Sequence, residues 1–334
     1  MKRISLITGC LMSLFFAACT KELSNDFNQY TNHPLNDTVW VKTVANTASV
    51  HELAQLLTPV LFSDSLEITR DTTLTYGDSL EISFTGGTLL TSTGAPATGK
   101  VKLEMFRLKK KGDYIKAFKP TAAGDTLMVS QGAFFVRLSK NGSELSLAPG
   151  ATIRLRFADA EMQPNTGAYP FYGRENNPIP ALGIDTAFTW RVFENISIKS
   201  YQKQVSNGTI KGYEVTSKYL HWISALNPLD SIRINSTKIT TILPLNYTNK
   251  NTVVFAVLAD RKTIVNLRAD FVSRSFSAIN FAAKSRIKLI SISKIGDDLY
   301  LGSKDILDPG NGAIYSLTPE KKSLASVLQF LDGL

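Results

Sequence analysis

Apolar and polar residues alternate in short runs through much of the chain. Ser79-Leu80-Glu81-Ile82-Ser83-Phe84, Lys100-Val101-Lys102-Leu103-Glu104-Met105 and Ile153-Arg154-Leu155-Arg156-Phe157 all repeat with period two. That period belongs to a strand with one face buried and one face wet. Turn-forming groups separate the runs: Thr85-Gly86-Gly87, Lys111-Gly112-Asp113, Ala123-Gly124-Asp125, Lys140-Asn141-Gly142 and Ala148-Pro149-Gly150. Short strands at this spacing predict a sandwich or barrel rather than alternating strands and helices. Residues 160–186 break the rhythm with Gln163-Pro164-Asn165, Ala168-Tyr169-Pro170 and Asn177-Pro178-Ile179-Pro180. Strands resume at Phe188-Thr189-Trp190-Arg191-Val192 and continue through residues 230–243, 252–259 and 286–295. In the last of these, Ile287, Leu289 and Ser291 share a face. A second β domain is expected there.

Two stretches have the helical period instead. Ser49 reads as the N-cap of a short helix whose apolar face is Val50, Leu53, Ala54 and Leu57, stopped by Pro59. Thr318-Pro319-Glu320 reads as a helix start, and Leu324, Val327, Leu328 and Leu331 form a stripe expected to pack on the second domain.

The first nineteen residues differ from all of this. Lys2 and Arg3 precede an apolar run at residues 4–18, shorter than the ~20 residues of a membrane-spanning helix. A basic start, a short apolar core and small residues at its end describe a secretory signal. Phe16-Ala17-Ala18-Cys19 resembles the lipobox of bacterial lipoproteins, with Phe16 in place of the usual aliphatic residue. That resemblance implies cleavage before Cys19 and acylation of its thiol. Of the two cysteines, Cys10 would be discarded, leaving no partner for a disulfide and no cysteine-ligated metal cluster. Several acyl chains on one residue anchor stably, since each buried methylene contributes about 0.8 kcal/mol. Residues 20–48, rich in Asn, Thr and Ser, suit a tether.

The expected organisation is therefore a signal peptide at 1–18 and a lipid-anchored tether with the short helix at 19–58. A β-sandwich follows at 59–160, then a Pro/Asn-rich linker at 161–186, and a second β domain with a C-terminal helix at 187–334. The fold class is all-β, with two sandwich-like domains. The expected location is the cell envelope, lipid-anchored in the outer membrane. Glu22 and Asp26 are the only acids soon after Cys19, which leaves the periplasmic and surface faces both open.

Charge refines the picture slightly. The chain carries +9 in all. Residues 20–190 hold 16 basic and 17 acidic side chains, whereas residues 191–334 hold 19 and 11. The basic half suits either a generally solvated surface or an anionic partner such as a phosphorylated glycan or lipid headgroup.

A series of short phrases resembles a known domain. Gly87-Thr88-Leu89, Thr98-Gly99-Lys100-Val101, Pro120-Thr121 and Ser130-Gln131-Gly132-Ala133-Phe134-Phe135-Val136 lead into Asn141-Gly142-Ser143-Glu144-Leu145 and Leu147-Ala148-Pro149-Gly150. Together they resemble the β-sandwich domain shared by zona occludens proteins, netrin receptors and ankyrins, in the version found in lipoproteins of Bacteroidota. The second β region of those lipoproteins opens with Gly-Trp-Ile-Asn-Cys-Asp. His221-Trp222-Ile223-Ser224-Ala225-Leu226 is similar to it but lacks the Cys and the Asp. Some members of the wider family cleave themselves at a His-Phe-Ser triplet, which this chain does not contain. An independent pattern agrees with that resemblance: Asp-(Ser/Thr)-(aliphatic or Thr) triplets, at which Bacteroidota commonly attach glycans, predict O-glycosylation. Seven occur, at Thr38, Ser65, Thr72, Ser79, Thr126, Thr186 and Ser231, although the turn preference of Asp-Ser and Asp-Thr raises that count by itself.

Catalytic signals are sparse. Of three histidines, His33 falls in the tether, His51 in the short helix and His221 beside Trp222 in a strand-like run. The Gly-x-Ser-x-Gly, His-Glu-x-x-His, phosphate-loop and dinucleotide patterns are absent from the sequence. Asp297-Asp298 and Asp305-x-x-Asp308-Pro-Gly-Asn-Gly have turn composition without the spacing of a calcium loop. Lys109-Lys110-Lys111 reads as a solvated hairpin tip, weak as a nucleic-acid signal. The expectation is a non-catalytic envelope binding module, with a protein or glycan partner, no cofactor, no metal and no nucleic acid. An envelope peptide or glycan hydrolase using His221 or paired carboxylates is the alternative, and an accessory subunit of a surface assembly is a third.

Overall fold

The computed structural model describes residues 34–59, 61–159, 162, 164, 167–175, 188–193, 198–229, 236–282, 285–310 and 312–334. They fall into two units, residues 1–37 and residues 38–334. The described part of the first unit is a single 3-10 turn, Pro34–Asn36, closed by the Asp37 N–H donating to Pro34 O at 3.3 Å.

The second unit is an all-β fold, 53% strand against 10% helix, as the alternation predicts. Helix α1 (Ser49–Leu57) comes first. The strands then run β1 (Phe62–Glu67), β2 (Thr72–Tyr76), β3 (Leu80–Phe84), β4 (Leu89–Leu90) and β5 (Lys100–Leu108). After helix α2 (Lys111–Lys116) come β6 (Ala122–Ala123), β7 (Thr126–Lys140), β8 (Ser143–Glu144), β9 (Ser146–Leu147) and β10 (Ile153–Asp159). Next are β11 (Tyr169–Arg174), β12 (Thr189–Val192), β13 (Ile198–Val205), β14 (Gly208–Ser217) and β15 (His221–Pro228). The chain continues with β16 (Ser236–Ile242), β17 (Thr252–Leu258), β18 (Ile264–Asn266), β19 (Arg268–Asp270) and β20 (Ser275–Ala282). It finishes with β21 (Ile287–Ile295), β22 (Asp298–Ile306), β23 (Ile314–Ser316), β24 (Glu320–Lys322) and helix α3 (Leu324–Asp332).

Four sheets form two facing pairs. Sheet I, ordered β1-β5-β7-β15-β11-β12, packs on sheet II, ordered β13-β14-β10-β3-β2. Their shared core includes Leu103, Phe134, Val136 and Ile223 from one side and Ile82, Leu155, Phe157 and Val215 from the other. Phe134 and Phe157 meet across it with ring centroids 4.8 Å apart. Sheet III, ordered β18-β17-β21-β22-β24, packs on sheet IV, ordered β19-β20-β16-β23, around Val254, Ala256, Leu289, Ile239, Phe276 and Phe281.

The division between the pairs is not where the linker composition places it. Strand β11, within the expected 161–186 linker, pairs with β15 in sheet I. Strands β12 to β15, expected in the second domain, complete sheets I and II. Pro170 disguised β11. It lies beyond Phe171–Arg174, the stretch that β12 pairs with, so its missing N–H removes no bond to that neighbour. The first sandwich therefore extends to β15, and the second begins at β16.

Three helices lie between the sandwiches. Val50, Leu53 and Leu57 of α1, Tyr114 and Ile115 of α2 and Val327 and Leu331 of α3 share one core. Phe106, Phe135 and Trp222 from the outer face of sheet I join it, as do Phe255, Ile290 and Ile292 of sheet III. Sheet III is thus covered on both faces, and β17 is buried at every residue. Helices α2 and α3 cross so closely that a Cβ at Gly112 would lie 1.9 Å from Leu331 O.

The helix limits depart from expectation in three places. Ser49 is the first helical residue of α1, and Ala48 holds the N-cap position without a side-chain bond. Residues 320–322 pair with β22 rather than opening a helix, and α3 starts after Ser323, whose Oγ accepts the Ser326 N–H at 3.2 Å. The three lysines open helix α2 rather than a hairpin. The Asp113 carboxylate accepts the backbone N–H groups of Lys109 and Lys110 at 2.9 and 2.8 Å and so satisfies donors at the helix start. Helix α3 packs on α2 and the central core rather than on the second sandwich alone.

Candidate functional site

The outer face of sheet I is covered at one end only. Along β5 the outward positions are Lys102, Glu104 and Phe106, and along β7 they are Ser139, Arg137 and Phe135. The two phenylalanines enter the central core. The charged ends stay outside and line an open cleft of about 490 Å³ with Lys100, Lys140 and Glu144. Its charges are ordered by contact. Glu104 takes Lys102 Nζ at 2.6 Å on one oxygen, and Arg137 Nε at 2.9 Å and Nη2 at 2.8 Å on the other. The Lys102 bond, reinforced by Arg137, holds the Glu104 carboxyl below its usual range. Lys140 Nζ donates to Thr98 O. Lys100 has no ion-pair partner among the described residues, which leaves the cleft with surplus positive charge.

His221 stands at the margin of this cleft. Register pairs it with Val136, whose side chain points into the sandwich, but His221 has φ 65°. That left-handed backbone turns its ring outward, where it stacks on Phe135 with centroids 5.5 Å apart. Its Nε2–H donates to Glu144 Oε1, and its Nδ1 lies 3.9 Å from Glu175 Oε2.

Glu175 connects the cleft to the interior. Its side chain is 7% exposed, and it accepts Trp222 Nε1–H at 2.7 Å while Lys119 Nζ lies 3.4 Å away. Burial pushes its carboxyl up, against the opposing pull of Lys119, the Trp222 bond and His221. Lys119 is fully buried, its ammonium 4.6 Å from the Phe188 ring centre and 5.2 Å from that of Trp222. Lysine is almost never buried without a partner. Here a carboxylate and two aromatic faces replace its water. The turn after α2 delivers it: Phe118 takes φ 54° at the position where glycine is common, and its buried ring holds against Phe255 at 6.0 Å. Gly173 makes room for the aromatic floor, since a Cβ there would lie 2.5 Å from Trp222 Cβ and 2.6 Å from Phe188 Cε2.

The result is a row of ionic and polar groups in contact, Lys102–Glu104–Arg137 and then Glu144–His221–Glu175–Lys119. Such a row can bind an anion or a polyhydroxyl ligand through several fixed donors and acceptors. Glu144 fixes the His221 ring through Nε2, and Nδ1 faces the Glu175 carboxylate rather than the open cleft. Among the described residues no hydroxyl or thiol hydrogen-bonds to His221. A second groove, of about 320 Å³, lies between the sandwiches near Phe188, Thr189, Asn266 and Arg268, with Arg268 3.9 Å from Asp125.

The residues singled out from sequence are scattered. Cys19, Thr186, Ser231 and His33 lie outside the described residues. Ser65, on the edge strand β1, and Thr126, at the start of β7, are exposed. Thr38, Thr72 and Ser79 are half-buried, and the Thr72 hydroxyl donates to Glu67 O at 2.6 Å. Asp298 pairs with Lys321 at 2.7 Å and Asp305 with Lys288 at 2.8 Å. Among the described residues no cluster of three His, Cys, Asp or Glu is arranged to hold a metal. Lys119, Glu144 and Glu175 were not anticipated. The only signal for Lys119 is its place in the apolar phrase Ala117-Phe118-Lys119-Pro120.

No protein-family model matches the chain, and no curated protein matches it.

Proposed function

We propose that this protein is a lipid-anchored binding module of the bacterial cell envelope, held to the outer membrane by an acylated Cys19, and that the cleft on sheet I receives its envelope glycan or protein partner. The observation that carries this reading is the row of fixed, partly exposed polar and charged groups around His221, at the uncovered end of the outer face of sheet I. The lipobox phrase at residues 16–19 and the resemblance of the first sandwich to the domain of Bacteroidota lipoproteins support the address. Among the described residues no helix is long and apolar enough to cross a membrane. Of the seven candidate glycosylation positions, Ser65 and Thr126 are the exposed ones described and are the expected acceptors.

Palmitate labelling of the wild type and of Cys19→Ala tests the anchor, and protease shaving of intact cells tests the side. Crosslinking in intact envelopes tests the binding face. A partner is expected with the wild type and lost with Arg137→Glu, and recovery of the same partner by both would sink the reading.

A second reading, an envelope hydrolase, has one observation in its favour: His221 stands between Glu144 and Glu175 at a cleft. Hydrolysis of envelope peptide or glycan that disappears in His221→Ala, with folding intact, would select it over the binding module.

A further inference from the structure

A stack of aromatic rings lies on the other face of sheet I from His221, unconnected with the charged cleft. Tyr172 is in register with Ile223, which points into the first sandwich, so its ring lies on that inner side. Tyr219 covers it with centroids 4.3 Å apart and planes 19° from parallel. Phe193 lies 5.5 Å from Tyr219 at 18°. Tyr219 is the outermost of the three and is 46% exposed.

Its position is held rigidly. Tyr219 belongs to the three-residue connection in which the chain crosses from β14 of sheet II to β15 of sheet I. The fully buried Ser217 clamps that connection, its hydroxyl accepting the Tyr219 N–H at 3.0 Å and donating to Tyr219 O at 2.7 Å. A single exposed tyrosine needs no explanation. A tyrosine with its backbone clamped, its ring stacked against two others and nearly half its surface exposed is a preformed platform, with little entropy left to lose on binding.

Two cations flank it. Arg191 is directly opposite Tyr172 on the neighbouring strand, which puts their Cβ atoms about 5 Å apart on the same face. Lys218 precedes Tyr219 in the connection. Both are exposed, and neither has a hydrogen-bond or ion-pair partner among the described residues.

We infer that this platform binds a pyranose ring of an acidic oligosaccharide. The face of an aromatic ring is its negative side. The C–H-bearing face of a pyranose is flat, weakly positive and apolar, and it matches a tyrosine face in size. Hydroxyl and carboxylate substituents project from the rim of the sugar, where a guanidinium can grip a carboxylate with two parallel hydrogen bonds. Arg191 therefore sets the preference for a uronic acid, and the Tyr219 ring supplies the stacking surface.

Titration calorimetry of the full chain with hexagalacturonate and with maltohexaose tests the assignment. Hexagalacturonate is expected to bind more tightly than the neutral hexasaccharide. Tyr219→Ala is expected to weaken it at least tenfold while the far-ultraviolet circular dichroism of the folded chain is retained, Tyr219→Trp to retain binding, and Arg191→Gln to reduce the preference for the acidic sugar about tenfold. Failure of both sugars to bind, or Tyr219→Ala binding like the wild type, overturns it. So does crosslinking through residue 219 to an envelope protein that hexagalacturonate does not displace.

Discussion

Strands β5 and β17 both occupy interior positions in their sheets, yet they read quite differently. In β5, Lys100, Lys102 and Glu104 alternate with Val101, Leu103 and Met105, and the wet face becomes apolar only at Phe106, where the helices begin to cover it. In β17, Thr252-Val253-Val254-Phe255-Ala256-Val257-Leu258 has no wet face, because sheet IV covers one side and the helices the other. The number of covered faces is therefore written in the pattern: alternation where one side meets water, continuous burial where neither does. Sheet I differs from sheet III in keeping an uncovered stretch, and the charged cleft lies on it.

This contrast can be broken by substitution. Phe255→Ala is expected to cost about 3–5 kcal/mol of unfolding free energy, because it opens a cavity between two packed layers. Lys102→Ala, at the wet end of β5, is expected to shift it by less than about 0.5 kcal/mol. Urea denaturation checks both, and similar costs would refute the distinction. Between these extremes lie the buried ion pair of the site and the close crossing of α2 and α3. Glu175→Ala is expected to cost about 3 kcal/mol, since it leaves the Lys119 charge in the interior without its carboxylate. The double change Lys119→Met and Glu175→Gln is expected to recover most of that in thermal melts. Gly112→Ala is expected to cost about 1–3 kcal/mol by forcing α2 away from Leu331.

The smallest effect is in pH. Glu104 has its folded pKa lowered, so its contribution is fully present above the ordinary value of 4.5 and is lost as pH falls through the folded value. Glu175 is raised by burial, so the folded state keeps its proton longer, and stability falls as pH rises from 4.5 through the folded value. Denaturation midpoints followed against pH should flatten below 4.5 in Glu104→Gln and above it in Glu175→Gln. The same response in both variants would mean that the two carboxylates do not differ.

Legibility followed the same physics. β3, β5 and β10 could be read because each has one wet face and therefore alternates. The burial of Val50, Leu53, Ala54 and Leu57 was legible for the equivalent helical reason. Pro170 hides β11, and the sandwich boundary is misplaced with it, since β11 and β15 pair across 51–57 residues and such pairing leaves no local mark. The lysine run has the composition of a solvated tip, and the Asp113 bonds that cap it as a helix are contacts rather than composition. The site itself was the least visible part. His221 was noticed for its type. Glu144 is 77 positions away, Glu175 reaches Trp222 through the pairing of β11 with β15, and Lys119 comes from the turn after α2.

The central seam carries a consequence for how the chain finds its shape. Leu53 and Leu57 of α1 share a core with Val327 and Leu331 of α3, at the far end of the sequence. Each sandwich is largely assembled from strands within its own stretch of chain, so its loops close over moderate separations. The seam includes the longest closures in the molecule, and their entropy must be met before α3 docks. Until then the faces bearing Phe106, Trp222 and Phe255 stand open to water. Folding speed, and the window in which two unfinished molecules could stick together, are therefore set by how fast α3 reaches its slot.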